Sequence, residues 1–72
     1  MINYEIIIKE SLDASWSHWF EGLNVQPLNI GNELIGTVIQ GSLPDQAALF
    51  GVLSQVRDLN LTLLEVKTKK NP

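Results

Sequence analysis

Near the start of the chain, apolar residues occupy every second position. Farther along, apolar residues recur at the spacing of a helix. The alternation over residues 4–9 predicts a strand, because side chains of a strand point to opposite faces in turn. The residues that follow predict an amphipathic helix, which Asp13 or Ser11 caps and Gly22 ends. The apolar face of this helix comprises Leu12, Trp16, Trp19, Phe20 and Leu23.

The middle of the chain predicts a hairpin. Residues 24–30 contain Pro27, which cannot donate a backbone hydrogen bond, so we expect this strand at a sheet edge. Gly31 and Asn32 favour a two-residue turn, and Leu34–Gln40 is the predicted partner strand.

A second helix and a last strand complete the pattern. Pro44 and Asp45 are typical of a helix start, with the Asp45 carboxylate as a structural cap, and Asn60 suits the helix end. Residues 61–67 are rich in Leu and Val and predict the last strand. The apolar face of the second helix comprises Ala48, Leu49, Val52, Leu53, Val56 and Leu59.

The order of elements is strand, helix, strand, strand, helix, strand. Right-handed crossovers would place the first and third strands at the centre of one antiparallel sheet, with both helices on one face. The predicted fold is therefore an α+β, ferredoxin-like βαββαβ two-layer sandwich. We expect one domain over residues 1–67 and a disordered basic tail over residues 68–72.

Apolar residues exceed what one helix-covered sheet face needs. Ile7 falls at an outward position between two charged residues, where a polar side chain is expected. On the third strand, Leu34 and Val38 share one side. Ile35 and Ile39 share the other, so an apolar pair faces away from the helices in either register. Leu63 and Leu64 are adjacent in the last strand, so one of the two likewise faces away from the helices. The predicted interaction face comprises Ile7, Ile35, Ile39 and Leu63.

Composition excludes several classes of chemistry. The 72 residues contain no cysteine, which rules out disulfides, thiolate metal centres and a cysteine nucleophile. Five Lys and Arg against eight Asp and Glu argue against nucleic-acid binding. No apolar run approaches the roughly 20 residues that span a bilayer, and the first residues lack a signal peptide's basic region. We expect a cytoplasmic protein without membrane contact.

Candidate sites in the sequence have simple structural explanations. His18 is the single histidine, and no second histidine is present to form a metal site with it. No nucleophile with an oriented base is present, so we predict no catalytic residue, no metal and no cofactor. The candidate ligand contacts are Glu10, Asp13, Trp16 and His18, around the first strand–helix junction.

Two segments resemble a group of small uncharacterised bacterial proteins. They are the W-S-H-W-F-E-G-L run over residues 16–23, and D-Q-A-A-L over residues 45–49 followed by Gly51 and R-D-L over residues 57–59. The resemblance implies a stand-alone α+β protein and implies no activity. Asn60 stands where similar proteins would have glycine, and both residues accept a left-handed backbone.

Two classes of function follow from these observations. The first is a protein–protein interaction module, most simply a homodimer that uses the helix-free sheet face. The alternative is a regulatory domain resembling the ACT type, which would bind a small molecule near Glu10 to Asp13. An enzyme ranks third, because the sequence contains no group of residues that could act together in catalysis.

Overall fold

The computed structural model describes residues 2–20 and 22–69. In that part of the chain, four strands, one α-helix and one 3-10 helix follow each other as one α+β unit. The elements are β1 (Ile2–Ile8), a 3-10 helix (Ala14–Trp19), β2 (Asn24–Ile30), β3 (Glu33–Leu43), α1 (Gln46–Asp58) and β4 (Leu63–Lys69). The α+β class and the four-stranded antiparallel sheet are confirmed.

The sheet has the strand order β2-β3-β1-β4, and every neighbouring pair is antiparallel. β1 and β3 are central, whereas β2 and β4 lie at the edges. β4 continues to Lys69, two residues beyond its predicted end, because Thr68 and Lys69 pair with β1. Residues 70–72 of the predicted tail lie outside the described residues.

The first helical segment is shorter than predicted. It is a six-residue 3-10 helix rather than an α-helix, and Phe20 closes it by donating its backbone N–H to Ser17 O at 3.2 Å. Asp13 is its N-cap and accepts from the backbone of Ser15 at 3.0 Å. Serine, tryptophan and histidine are weaker helix formers than alanine or leucine, and serine side chains compete for backbone hydrogen bonds. One α-helix therefore stands where two were predicted.

The core lies on one face of the sheet, which we call the covered face and define by Tyr4, Ile6 and Ile8 of β1. Their neighbours Asn3, Glu5 and Ile7 define the opposite, open face. The largest fully buried side chain is Phe20, which follows the 3-10 helix. The other buried apolar residues of this core are Leu23, Val25, Ile39, Leu43, Leu49, Val52 and Val56.

α1 begins and packs as its sequence pattern indicates. The Asp45 carboxylate accepts from the backbone N–H of Ala48 at 2.9 Å, which satisfies one of the free amides of the first turn. Leu49, Val52 and Val56 are buried against the sheet, at steps of three and four. Asn60 has a φ of 59° and follows the helix in the left-handed conformation expected of it.

Candidate functional site

The predicted interaction face does not exist as one surface. Ile39 is opposite Ile6 and is completely buried in the core, so it belongs to the covered face. Leu63 is aligned with the core residue Ile8 and lies on the same side of the sheet. Ile7 points to the open face. The structure therefore corrects the predicted face by dividing its residues between the two sides of the sheet.

Ile35 sits at an irregularity in the sheet. The pairing of β2 with β3 shifts between Leu28 and Asn29, which are opposite Gly36 and Leu34, so that Ile35 is the extra residue of its strand. Its side chain is half-buried. Ile35 therefore does not extend the apolar surface around Ile7 in the regular way that the sequence predicts.

The open face is mainly polar. Glu5 is opposite Gln40 on one side and Lys67 on the other, and the Lys67 ammonium lies 3.8 Å from the Glu5 carboxylate. Ile7 is opposite Val38, and both side chains are half-buried. This apolar pair is smaller than the contiguous patch that the sequence predicts.

β4 carries three of the eight large apolar side chains that are exposed among residues 2–20 and 22–69. Leu63, Leu64 and Val66 are 44%, 55% and 37% exposed, and we call these three residues the β4 strip. Val66 is opposite Ile6, so it lies on the covered face, and Leu64 is the extra residue where the pairing of β1 with β4 shifts. Leu63 and Val66 are thus apolar residues of the covered face that the helix layer leaves open to solvent.

The position of the helices explains this exposure. α1 packs over the central strand β3, and the 3-10 helix packs over the edge strand β2. Because the first helical segment is short, the helix layer lies over the centre and the β2 side of the sheet. The apolar side chains at the opposite edge keep about half of their surface in contact with solvent.

The outer edge of β4 is suited to pairing with another strand. An edge strand presents a row of backbone N–H and C=O groups that its sheet leaves unpaired. β4 has β1 as its one neighbour in the described sheet, and it contains no proline over seven residues. The other edge is β2, where Pro27 interrupts the row of donors.

A match to a family model covers residues 3–67 and is described as a domain of unknown function, DUF8691. The chain belongs to the DUF8691 family. The matched region runs from β1 into β4 and includes the β4 strip. The description of the family assigns no function to the chain. No curated protein and no solved structure is significantly similar to the chain.

One of the four candidate ligand contacts of this DUF8691 domain lines a cavity at the first strand–helix junction. A shallow cavity of about 530 Å³, open to solvent, is present at the predicted junction and is lined by Ser11, Leu12, Asp13, Ala14 and Pro27. Asp13 is the one candidate contact among these residues, and its carboxylate is engaged with Ser15 as the cap of the 3-10 helix. The ligand-sensing alternative stays a prediction.

Glu10 is hydrogen-bonded to Thr62 and does not line the cavity. Its carboxylate oxygens accept from the backbone N–H and from the hydroxyl of Thr62, each at 2.7 Å. The backbone hydrogen bond, followed by that from the hydroxyl, lowers the pKa of the Glu10 carboxyl below its usual value. These hydrogen bonds therefore link the segment that follows β1 to the segment that precedes β4.

The two tryptophans have different surroundings. Trp16 is half-buried and packs against the core, whereas Trp19 is 59% exposed. Their ring centroids are 6.3 Å apart, at an interplanar angle of 40°. His18 is exposed on the same short helix. The aromatic cluster thus serves packing through Trp16 and places one indole at the surface.

Residues 2–20 and 22–69 contain neither a cluster of metal ligands nor a membrane-spanning helix. No three His, Cys, Asp or Glu side chains in these ranges lie close enough together to hold a metal ion. Within the same ranges, no helix has the length and apolar character that crossing a bilayer requires.

Proposed function

We propose that this chain is a non-enzymatic protein–protein interaction module that associates through the edge of β4. The observation that carries the proposal is the β4 strip, since three large apolar side chains remain exposed on a strand whose outer edge is open. Single exposed apolar residues are ordinary, but neighbouring ones on an open edge are typical of an interaction surface or an aggregation site. The proposal moves the interaction surface from the open face to the β4 edge.

We propose further that the fold is a ferredoxin-like βαββαβ sandwich whose first helix is reduced to a 3-10 turn. The strand order and the two crossovers, one through the 3-10 helix and one through α1, support this description. The short first helix matters for the proposed function, because a helix layer of this size leaves the β4 strip uncovered.

The expected association is of moderate strength. Fully burying a Leu or Val side chain contributes about 2 kcal/mol, and the strip is already partly buried. Backbone hydrogen bonds along the strand edge add about 1 kcal/mol each. Lost translational and rotational freedom costs at least about 4 kcal/mol. We therefore expect a dissociation constant in roughly the micromolar range.

Val66→Lys tests this proposal because it places a charge within the β4 strip. Wild-type protein should associate as its concentration rises, while the variant should remain a monomer of 8.0 kDa in sedimentation velocity. At least a tenfold loss of association is expected. The lysine stem can reach solvent from this partly exposed position, so the fold should persist, as far-UV circular dichroism will verify.

The matched control is Ile30→Lys. Ile30 is 68% exposed at the end of β2, on the far edge of the sheet, and its replacement should leave association unchanged. Leu64→Lys, at a still more exposed position of the strip, should repeat the effect of the Val66 variant. Equal association of the Val66 and Ile30 variants would contradict the proposal.

A further inference from the structure

We infer that the strand that pairs with β4 is β4 of a second copy of this chain, antiparallel to it about a two-fold axis at Val66. The inference rests on the proposed function and names its partner. It follows from the order of charged and apolar residues along β4 and from the faces to which the register with β1 assigns them.

The charged residues of β4 are complementary to those of a second β4 strand that runs antiparallel to it. Glu65 and Lys67 flank Val66, so an antiparallel pair centred on Val66 places Glu65 of each copy opposite Lys67 of the other. Both residues lie on the open face, because they are opposite Ile7 and Glu5 of β1. Opposite charges that face each other across two strands stabilise the pairing. Two equivalent ion pairs would therefore form.

Both side chains are available for these contacts. Lys67 and Glu65 are each about half exposed, at 51% and 50%, and their charged groups lie 3.3 Å apart within one copy. The Lys67 ammonium and the Glu65 carboxylate thus already lie together at the open edge of the sheet. Pairing with a second copy would add a partner of opposite charge for each without burying an unpaired charge.

Val66 is compatible with the same register. It lies on the covered face and would meet Val66 of the second copy at the centre of the contact, while Leu64 of each copy would be opposite Thr68 of the other. An axis perpendicular to the sheet places the helix layers of both copies on the same side. The result is a continuous eight-stranded sheet in which the exposed strip is shared by both copies.

Neighbouring registers are disfavoured by charge or by side-chain direction. An axis at Glu65 would oppose two glutamates, and an axis at Lys67 would oppose two lysines. An axis between two residues would oppose side chains that point to different faces, since adjacent residues of a strand alternate. The charges of Glu65 and Lys67 therefore favour this register over its neighbours.

Charge-exchange variants at these two positions test the inference. Glu65→Lys creates two lysine–lysine pairs in a homodimer, and Lys67→Glu creates two glutamate pairs. Each variant alone should associate at least tenfold more weakly than wild type in sedimentation velocity at low ionic strength. An equimolar mixture should form a heterodimer, because one chain then carries lysine at both positions and the other carries glutamate at both. The introduced charges thus become complementary only when the two variants are combined.

The double variant Glu65→Lys/Lys67→Glu is the matched control. It exchanges the charges within each chain and restores opposite charges across the pair, so it should associate like wild type. Weak association of both single variants, together with recovery in the mixture and in the double variant, supports the inference. Far-UV circular dichroism of every variant excludes loss of the fold as the cause of weak association.

The remaining outcomes separate the inference from the proposed function. If the single variants associate like wild type while Val66→Lys is monomeric, the β4 edge is the interaction surface, but the two-fold register at Val66 is overturned. Failure of the mixture and of the double variant to recover association overturns the register as well. If wild type stays at 8.0 kDa up to millimolar concentration, the second copy is not the partner, and the proposed self-association fails with it.

Discussion

Replacing Gly36 with alanine is expected to lower the free energy of unfolding by about 3 kcal/mol. A Cβ atom at this position would overlap the backbone carbonyl oxygen of Ile8 and lie 3.3 Å from its carbonyl carbon. Gly36 belongs to β3 and Ile8 to β1, the two central strands of the sheet, so neither strand can move without disturbing its other neighbour. A domain of this size has a total stability of roughly 5 kcal/mol, of which the variant would lose more than half.

Urea denaturation followed by tryptophan fluorescence measures this loss. The matched control is Gly51→Ala, in the middle of α1, where an added Cβ would have no atom within 4 Å. Alanine favours the helix over glycine, so the control should gain about 0.5–1 kcal/mol. A Gly36 variant as stable as wild type would show that the close approach of β3 to β1 is not a constraint on the fold.

Replacing Thr37 with valine is expected to cost about 2 kcal/mol, although the two side chains have nearly the same shape. The Thr37 side chain is completely buried. Its hydroxyl accepts from the backbone N–H of Leu12 at 2.9 Å and donates to the carbonyl oxygen of Glu10 at 2.6 Å. Valine would leave both backbone groups without this partner, and the segment that leads into the 3-10 helix would lose its connection to β3.

The comparison with Thr37→Ser separates hydrogen bonding from packing. Serine keeps the hydroxyl and loses one methyl group, which costs about 1 kcal/mol. Serine should therefore be tolerated better than valine in urea denaturation, and amide exchange at Leu12 should accelerate only in the valine variant. If valine is tolerated better than serine, packing rather than the hydrogen bonds determines the role of Thr37.

The parts of the fold that depend on local signals follow from the sequence. The alternation in β1, the hairpin at Gly31 and the Asp45 cap of α1 each rest on residues close together in the chain. The first helix was predicted wrongly as an α-helix, because its apolar spacing fits a helix while its serines and aromatic residues favour a short one. Periodicity does not distinguish a 3-10 turn from an α-helix over six residues.

The candidate surface depended on information that the sequence lacks. Either face of β3 offers an apolar pair, and the face that packs into the core also carries Thr37, a polar residue that is buried because it bonds two backbone groups of a distant loop. The alternation alone therefore left Ile39 as a candidate for the surface, although it is a core residue. The exposure of β4 depends on how far the helix layer extends, which is a property of the packed domain.

Amide hydrogen exchange of β4 reports on the strand edge itself and shows whether that edge pairs with a second copy. Protection of residues 63–68 should increase as wild-type protein is concentrated through the micromolar range, while protection in β2 should not change. The Val66→Lys variant should show no such increase. Exchange in β4 that is independent of concentration in wild-type protein would contradict the claim that this edge pairs with a second copy.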